Sequence, residues 1–350
     1  MKPATTERNR DATRLLVIDP RARGMHATSI THLPEFLTSG DVLIMNDAAT
    51  LPASLHAHTL HGELVEIRLL GPDDANVFSA VLFGAGDYHA RTEDRAAPPE
   101  LALGTWLRVD ERLRVQVLER SSLSPRLVKL RFDLAGRDLW RALYAHGKPV
   151  QYAYHSQDLA LWSVQTLYAA RPWAAEMPSA GRPLSFATLL ALKQRGVELA
   201  TLTHAAGLSS TGDPAIDRAL PLPERYEIPE ATARAVANAR ARGQRVIAVG
   251  TSVVRALESS ALRAGGEIVA GTAVSTLRIE PSHTLAVVDG LLTGVHSPEE
   301  SHYQLLGAFV DRALLEQSSN TARELGFVSH EFGDACLILP GALRPVARAA

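Results

Sequence analysis

The stretch Arg245 to Ser260, RVIAVGTSVVRALESS, changes its hydrophobic period in mid-course and constrains the fold more than any other segment. Arg245 to Val249 is a short run rich in β-branched side chains, fit for a buried strand. Val253, Leu257 and Ala261 then recur every four residues as one face of a helix. The period breaks at Gly250-Thr251-Ser252. A strand that turns through glycine into a helix aims unpaired amide N–H groups, and the positive end of the helix dipole, at whatever occupies the turn, so the turn suits an anion. Arg255, off the apolar stripe, supplies a fork for a carboxylate or phosphate. The plainer alternative is that Gly250 only permits a tight turn and Arg255 pairs with Glu258 at helical spacing.

The rest of the chain supplies a frame for that unit. A strand is expected at Leu15 to Asp19, a short helix near His32 to Leu37, and a buried strand at Val42 to Met45 ending on the polar pair Asn46-Asp47. Between about Leu55 and Leu134 the character changes. GELVEIRLL, NVFSAVLFG, TWLRVDERLRVQVLER and RLVKLRFDL are separated by Gly, Pro and Asp turns, with nothing helical between them. This pattern predicts a small all-β unit, a barrel or sandwich, over 55–134, inserted into a larger domain made of 1–54 and 135–350. Beyond it, helices over Asp138 to His146, Ser185 to Arg195, Glu230 to Arg242, Ser252 to Arg263 and Pro298 to Glu316 alternate with strands. The strands are expected at Val197 to Thr203, Arg245 to Val249, Ala286 to Leu291 and Cys336 to Leu339. Such alternation predicts an α/β sheet with mainly parallel pairing, whose ligands sit beyond the strand C-termini: the turns after Met45, Thr203, Val249 and Leu292. Gly207 to Pro223, rich in Pro, Gly, Ser and Thr, reads as a mobile loop.

Composition narrows the function classes. The 36 basic and 38 acidic side chains nearly cancel, so no overall field draws the protein to nucleic acid or an acidic membrane. Cys336 is the single cysteine, which excludes an internal disulfide and a multi-cysteine metal site. No metal-ligand spacing such as HExxH is present, no run is long and apolar enough to span a membrane, and the N-terminus has no signal core. A cytoplasmic protein without a bound metal is expected.

Several positions carry candidate chemistry. His204 ends a predicted strand and precedes the small residues Ala205, Ala206 and Gly207, where it either moves a proton or caps the strand. His296, in LLTGVHSPEES, falls between a strand and a helix whose first turn follows Pro298, a placement that favours the ligand cleft. Ser179-Ala180-Gly181 form a small-residue turn before a helix, suited to backbone contact with a flat or charged group. Asp334 could bring a carboxylate to a site, and the arginine-rich stretch Arg234 to Arg245 reads as a solvated helix face.

Together RVIAVGTSVVRALESS, RLLVIDPRARG, SGDVLIMNDAATLPASL, VQTLYAARP, PSAG, KQRGVELATLT, VVDGLLTGVHSPEES and FGDACLIL resemble the S-adenosylmethionine:tRNA ribosyltransferase-isomerase family of queuosine biosynthesis, over nearly the whole chain. The resemblance implies a main α/β domain carrying an inserted β-barrel. It also implies transfer of the ribosyl moiety of S-adenosylmethionine to 7-aminomethyl-7-deazaguanine in tRNA, giving epoxyqueuosine, adenine and methionine, with no cofactor beyond S-adenosylmethionine as substrate. By that resemblance Gly250, Thr251, Ser252 and Arg255 bind substrate together with Asn46, Asp47, Ser179, Ala180, Gly181, Thr293 and Asp334, while His296, His204 and Glu224 carry catalysis. The chain departs from the family pattern in PSAGRPLSF, where Ser185 stands in place of a histidine, and in NDAATLPASL, where two arginines give way to Ala49 or Thr50 and to Ser54. It departs again in ALPLPER, which leaves Glu224 without two histidines. Such losses fall on the acceptor half of the site. They raise two alternatives, an acceptor other than tRNA and an inactive paralogue that binds an adenosyl nucleoside as a sensor or accessory protein.

Overall fold

Val42-Leu43-Ile44-Met45 is apolar at every position because the strand Val42–Asn46 is covered on both faces. Val42 and Ile44 pack with Val236, Val253 and Leu257 on one side, and Leu43 and Met45 pack with Leu33, Leu184 and Leu192 on the other. The structure is a computed structural model that describes residues 1–296 and 301–343. Within them nine strands form one sheet in the order Gly271–Ser275, Glu224–Ile228, Glu198–His204, Val42–Asn46, Val246–Val249, Gly290–Gly294, Ala335–Ile338, Arg14–Asp19, Gly24–Ser29. The four strands from Glu198–His204 to Gly290–Gly294 are mutually parallel, as the alternation of strand and helix predicts. Their neighbours Glu224–Ile228 and Ala335–Ile338 run the opposite way. Helices Glu230–Ala241, Thr251–Arg263 and Arg312–Glu324 bury the first face, and Phe186–Gln194 with the turn Ile30–Phe36 buries the second.

Strands Ser54–His58, Leu64–Pro72, Val77–Phe83, Trp106–Arg108, Arg114–Arg120 and Leu127–Phe132 close into the expected small antiparallel barrel. Alternation decides which side chains fill it: Val128, Leu130 and Phe132 point in while Lys129 and Arg131 point out. Leu139 and Leu143 of helix Gly136–His146, with Ile216 and Leu220, extend that core outside the barrel. Ile216 belongs to the segment expected to be a mobile loop. Pro214–Ala219 is instead a helix, because Asp213 accepts from the Ala215 and Ile216 amides, Pro214 opens the first turn, and Thr211 bonds Asp217.

Two further expectations are corrected. The strand foreseen at Ala286 to Leu291 lies at Gly290–Gly294, because the amides of Ala286, Val287 and Val288 donate to the buried carboxylate of Glu258 rather than to a neighbouring strand. The helix foreseen from Pro298 to Glu316 begins outside the described residues, and its described part is two helices, Ser301–Leu306 and Arg312–Glu324. Asp311 caps the second through the Leu314 amide.

On the outer wall of the barrel Glu66 receives Arg68 at 2.8 Å and Arg95 at 2.5 Å, all three side chains being nearly inaccessible. Burial alone would raise the Glu66 carboxyl, and the two guanidinium charges outweigh it and hold the pKa below the usual carboxylate range. Replacing Glu66 with Ala leaves two cations buried without a counter-charge. The expected loss is about 3–5 kcal/mol in denaturant unfolding, where a surface ion pair would cost under about 1 kcal/mol.

Candidate functional site

The sheet brings most of the candidate residues to one edge. The strands that end at Asn46, His204, Val249 and Gly294 are parallel neighbours, and the antiparallel strands that flank them begin at Glu224 and Ala335 on the same edge. Read across the sheet, the row is Glu224, His204, Asn46-Asp47, Gly250, Thr293 to His296, Asp334. At roughly 4.8 Å per strand, His204 and Thr293 stand about 14 Å apart, so the candidates line a trough rather than converge on one atom. Successive strands fall on opposite sides of Val42–Asn46, which makes the crevice between Asn46 and Gly250 the switch point of the sheet.

Asn46 braces this crevice. Its amide donates to the His204 carbonyl at 3.0 Å, and its Oδ1 accepts from the His204 and Ala48 amides at 2.9 and 3.0 Å. Asp47, half-buried, accepts from the Thr203 hydroxyl at 2.5 Å. Next to it Gly250 adopts φ +92°, a conformation that side-chain-bearing residues rarely take, and starts helix Thr251–Arg263 with no side-chain cap. The amides of Thr251 and Ser252 therefore have no protein acceptor among the described residues, as the anion-site reading requires. The turn Ser179–Gly181 packs directly on this hinge, since a Cβ on Gly250 would lie 3.4 Å from that of Ala180. Gly181 in turn leaves room for the Tyr168 hydroxyl, which a methyl group there would overlap.

Arg255 departs from both sequence readings. Its guanidinium is buried and bonds the Glu224 carboxylate, with Nε donating to the Leu277 carbonyl at 3.0 Å, so it neither reaches out to a ligand nor pairs with Glu258. Glu224 also accepts from the Gly207 amide at 2.6 Å, a close approach in which a Cβ on residue 207 would stand 3.1 Å from the carboxylate oxygen and press on it. Burial raises the Glu224 carboxyl above its ordinary value against the opposing pull of Arg255 and the Gly207 amide. His204 Nε2 lies 3.5 Å from the same carboxylate, yet burial and the Arg255 charge push the imidazole down to about 3. The contact is thus a neutral ring beside a carboxylate already claimed by Arg255, and both ring nitrogens of His204 and Nη2 of Arg255 lack hydrogen-bond partners among the described residues. Buried polar atoms in that condition, gathered around one carboxylate, mark a place prepared for polar contacts.

Glu224 opens on a cleft of about 700 Å³ between the sheet and the barrel. One wall carries Gly207, Leu222 and Arg225, and the barrel wall carries Gly71, Ser79 and Lys129. The Gly250 hinge does not line this cleft; helix Thr251–Arg263 connects the two through Arg255. Nothing in the one-dimensional pattern singles out two residues of the cleft. Trp173 lines it, and the Arg225 guanidinium lies 4.0 Å from the centre of its ring. Glu176 is a further group without a sequence signal. Burial lifts its carboxyl to about 7, and it holds the Ser209 amide at 2.9 Å and the Tyr152 hydroxyl, fixing the segment that follows Gly207.

The far end of the row is different in kind. His296 meets the Thr293 hydroxyl at 3.0 Å and stacks on His302 with ring centres 5.3 Å apart. Asp334 is corrected from ligand-facing carboxylate to structural clamp. Its inaccessible side chain binds Arg8 at 3.0 Å and Arg14 at 2.7 Å and accepts the Arg14 and Val328 amides. Arg245, in the arginine-rich stretch, is likewise held by Asp41 at 2.5 Å.

Two outcomes follow from the Glu224 cluster. Arg255→Met strands a buried carboxylate and should cost about 3 kcal/mol in chemical unfolding, while the double change with Glu224→Gln should recover much of that loss. His204, with its folded pKa depressed, contributes stability that is fully present above the unfolded value near 6.5 and is lost as pH falls toward about 3. Its imidazole resonances should therefore not titrate between pH 8 and pH 5, and His204→Gln should flatten the acid limb of Tm against pH.

The chain matches the family model described as queuosine biosynthesis protein over residues 2–338. Proteins named S-adenosylmethionine:tRNA ribosyltransferase-isomerase are similar to it. That of Thermus thermophilus is 35% identical over 340 residues, covering 94% of this chain and 93% of the relative. That of Gloeobacter violaceus is 34% identical over 342 residues, covering 95% and 91%. A solved structure, the S-adenosylmethionine tRNA ribosyltransferase of Thermotoga maritima, shares the fold at a TM-score of 0.50 and 23% identity, over 97% of this chain and 95% of that one. With a match that runs from the second residue through the last strand of the sheet, this chain belongs to the queuosine-biosynthesis family of S-adenosylmethionine:tRNA ribosyltransferase-isomerases.

Proposed function

We propose that the protein transfers and isomerises the ribosyl moiety of S-adenosylmethionine onto the aminomethyl group of 7-aminomethyl-7-deazaguanine in tRNA, with Glu224 as the proton acceptor. The observation that carries this reading is the position of Glu224: a buried carboxylate with a raised pKa, gripped by Arg255, standing where a large cleft meets the edge of the sheet. The reaction breaks the C5′–S, C1′–N9 and C1′–O4′ bonds of the donor and one C5′–H bond. The sulfonium sulfur keeps the electron pair of its C5′–S bond and leaves as neutral methionine, and adenine keeps the pair of the glycosidic bond and leaves with a proton. The acceptor amine bonds C1′ and loses one proton, C1′ closes onto C5′, and O4′ bridges C4′ and C5′; of the two protons released from C5′ and the amine, adenine takes one and a base takes the other. A sulfonium leaving group supplies driving force, which leaves the protein to hold the ends of the donor, align ribose with amine and manage protons.

The geometry supports a division of labour. The uncapped amides of Thr251 and Ser252 suit the carboxylate of the methionyl end, with Ser179–Gly181 behind them. Asn46 and Asp47 at the switch point suit the adenosyl part. His296 with Thr293 supplies a polar pair at the other flank, and His204, held neutral, offers a hydrogen bond without adding charge beside Glu224. S-adenosylmethionine serves as a substrate, and no other cofactor enters the scheme.

Incubated with S-adenosylmethionine and tRNA bearing the aminomethyl-deazaguanine, the protein should release adenine and methionine in equal amounts. Glu224→Gln should lower kcat at least about 100-fold with the S-adenosylmethionine Kd little changed. Tight binding of S-adenosylmethionine by calorimetry without adenine release would overturn the enzymatic reading.

A further inference from the structure

We infer that the cleft between barrel and sheet is the acceptor pocket, and that it takes a nucleobase stacked on the Arg225–Trp173 pair with its amine turned toward Glu224. The inference rests on the ribosyl-transfer reading for the identity of the amine, and on the cleft's own residues for the rest. At about 700 Å³ the cleft falls in the range of sites for ligands of drug or nucleotide size. Its walls are apolar over most of their length, with Leu70, Leu127, Leu208 and Leu222 among them, which suits a flat ring leaving water. The planar elements are Trp173 and the guanidinium of Arg225, 4.0 Å from the indole centre. Trp173 is held by its strand, Arg171–Ala174, which pairs with Ala48–Thr50. Two residues before it, Arg171 is anchored by a forked ion pair to Glu227 at 2.7 and 2.9 Å, and Arg225 and Glu227 occupy alternate positions of one strand. A guanidinium already oriented by an indole presents a planar cation to an unstacked base, and arginine planes and aromatic rings are the surfaces on which splayed-out RNA bases stack.

Polarity fixes the orientation. Of the three carboxylates that line the cleft, Asp73 and Glu119 are exposed to solvent and Glu224 is the one largely withdrawn from it, where a cationic aminomethyl group gains an ion pair. Lys129 and Arg120 stand on the barrel side, where the phosphates flanking the base would lie. Lys129 is paired to Glu119 at 3.2 Å with both side chains substantially exposed, a weak pair that a phosphate can replace.

The test titrates the full-length protein with two probes. One is an anticodon stem-loop RNA carrying 7-aminomethyl-7-deazaguanine and the other is the free nucleoside of that base, with S-adenosylmethionine affinity measured in parallel. Arg225→Ala and Trp173→Leu should each weaken both probes at least about tenfold and leave S-adenosylmethionine binding within about twofold. Arg225→Lys, which restores charge without the plane, should stay weak, whereas Lys129→Ala with Arg120→Ala should weaken the stem-loop and spare the nucleoside. Wild-type affinity for both probes in Arg225→Ala and in Trp173→Leu would overturn the inference, as would failure of the wild-type protein to bind either probe. Adenine release with an unchanged acceptor KM in these variants would refute the pocket and leave ribosyl transfer standing. Acceptor binding lost in the variants, with no adenine released by the wild type, would support the pocket and remove ribosyl transfer.

Discussion

The ion pair between Arg255 and Glu224 is the interaction on which the rest of the site depends. It joins the first turns of the helix that starts at Gly250 to the start of strand Glu224–Ile228 beside the cleft, through two residues 31 positions apart in the chain. Arg255 is nearly inaccessible and the Glu224 side chain little exposed, so each charge has lost most of its hydration, and neither is stable there without the other. The pair fixes more than itself. Its position decides where Gly207 must come, and hence how the segment from Gly207 to Pro223 leaves the sheet. Its positive partner also keeps His204 from taking a proton.

A buried ion pair seldom stabilises a fold better than well-packed apolar residues would, so its retention asks for another reason. On the proposed reading the reason lies in what the pair does to a proton. Burial favours the neutral form of Glu224, Arg255 and the Gly207 amide favour the carboxylate, and burial prevails enough to leave the pKa raised. A carboxyl poised by two opposed effects accepts a proton more readily than an ordinary surface glutamate and returns it more easily than an isolated buried one. His204 adds polar capacity without altering that balance, because a protonated imidazole 3.5 Å away would drive Glu224 back toward full ionisation.

Where local chemistry decides, the sequence is legible. The Gly250 hinge, the strand Val42–Asn46, the alternating barrel strands and the main parallel sheet follow from period, turn residues and β-branching within a few positions. What escapes is chosen by partners distant in the chain. Arg255 has Glu258 one turn away on its own helix and bonds Glu224 instead, because Glu258 is spent on the amides of Ala286, Val287 and Val288. That same claim moves the next strand toward its C-terminus. Asp334 looks like a turn residue at a site, yet Arg8 and Arg14, more than 300 positions away, make it a clamp. Trp173 and Arg225 are ordinary residues in the text of the chain and meet only because their strands do.

The layout also explains why one protein would join a sheet of this kind to a barrel. The switch point of the sheet gives amides and short polar side chains at Asn46, Asp47 and Gly250, enough for a nucleoside with a charged tail but shallow, since the row runs along an edge. Depth comes from the barrel, whose outer wall faces the strand Glu224–Ile228 and turns an open edge into a cleft of about 700 Å³. Glu224 sits where the two meet, with one side toward Arg255 and the helix of the hinge and the other toward the cleft. On the proposed reading, a proton acceptor at such a junction has the donor half of the reaction on one flank and the acceptor half on the other. Changes on the cleft wall then alter which amine is presented, while the hinge and its amides, held by the packing of the sheet, stay as they are.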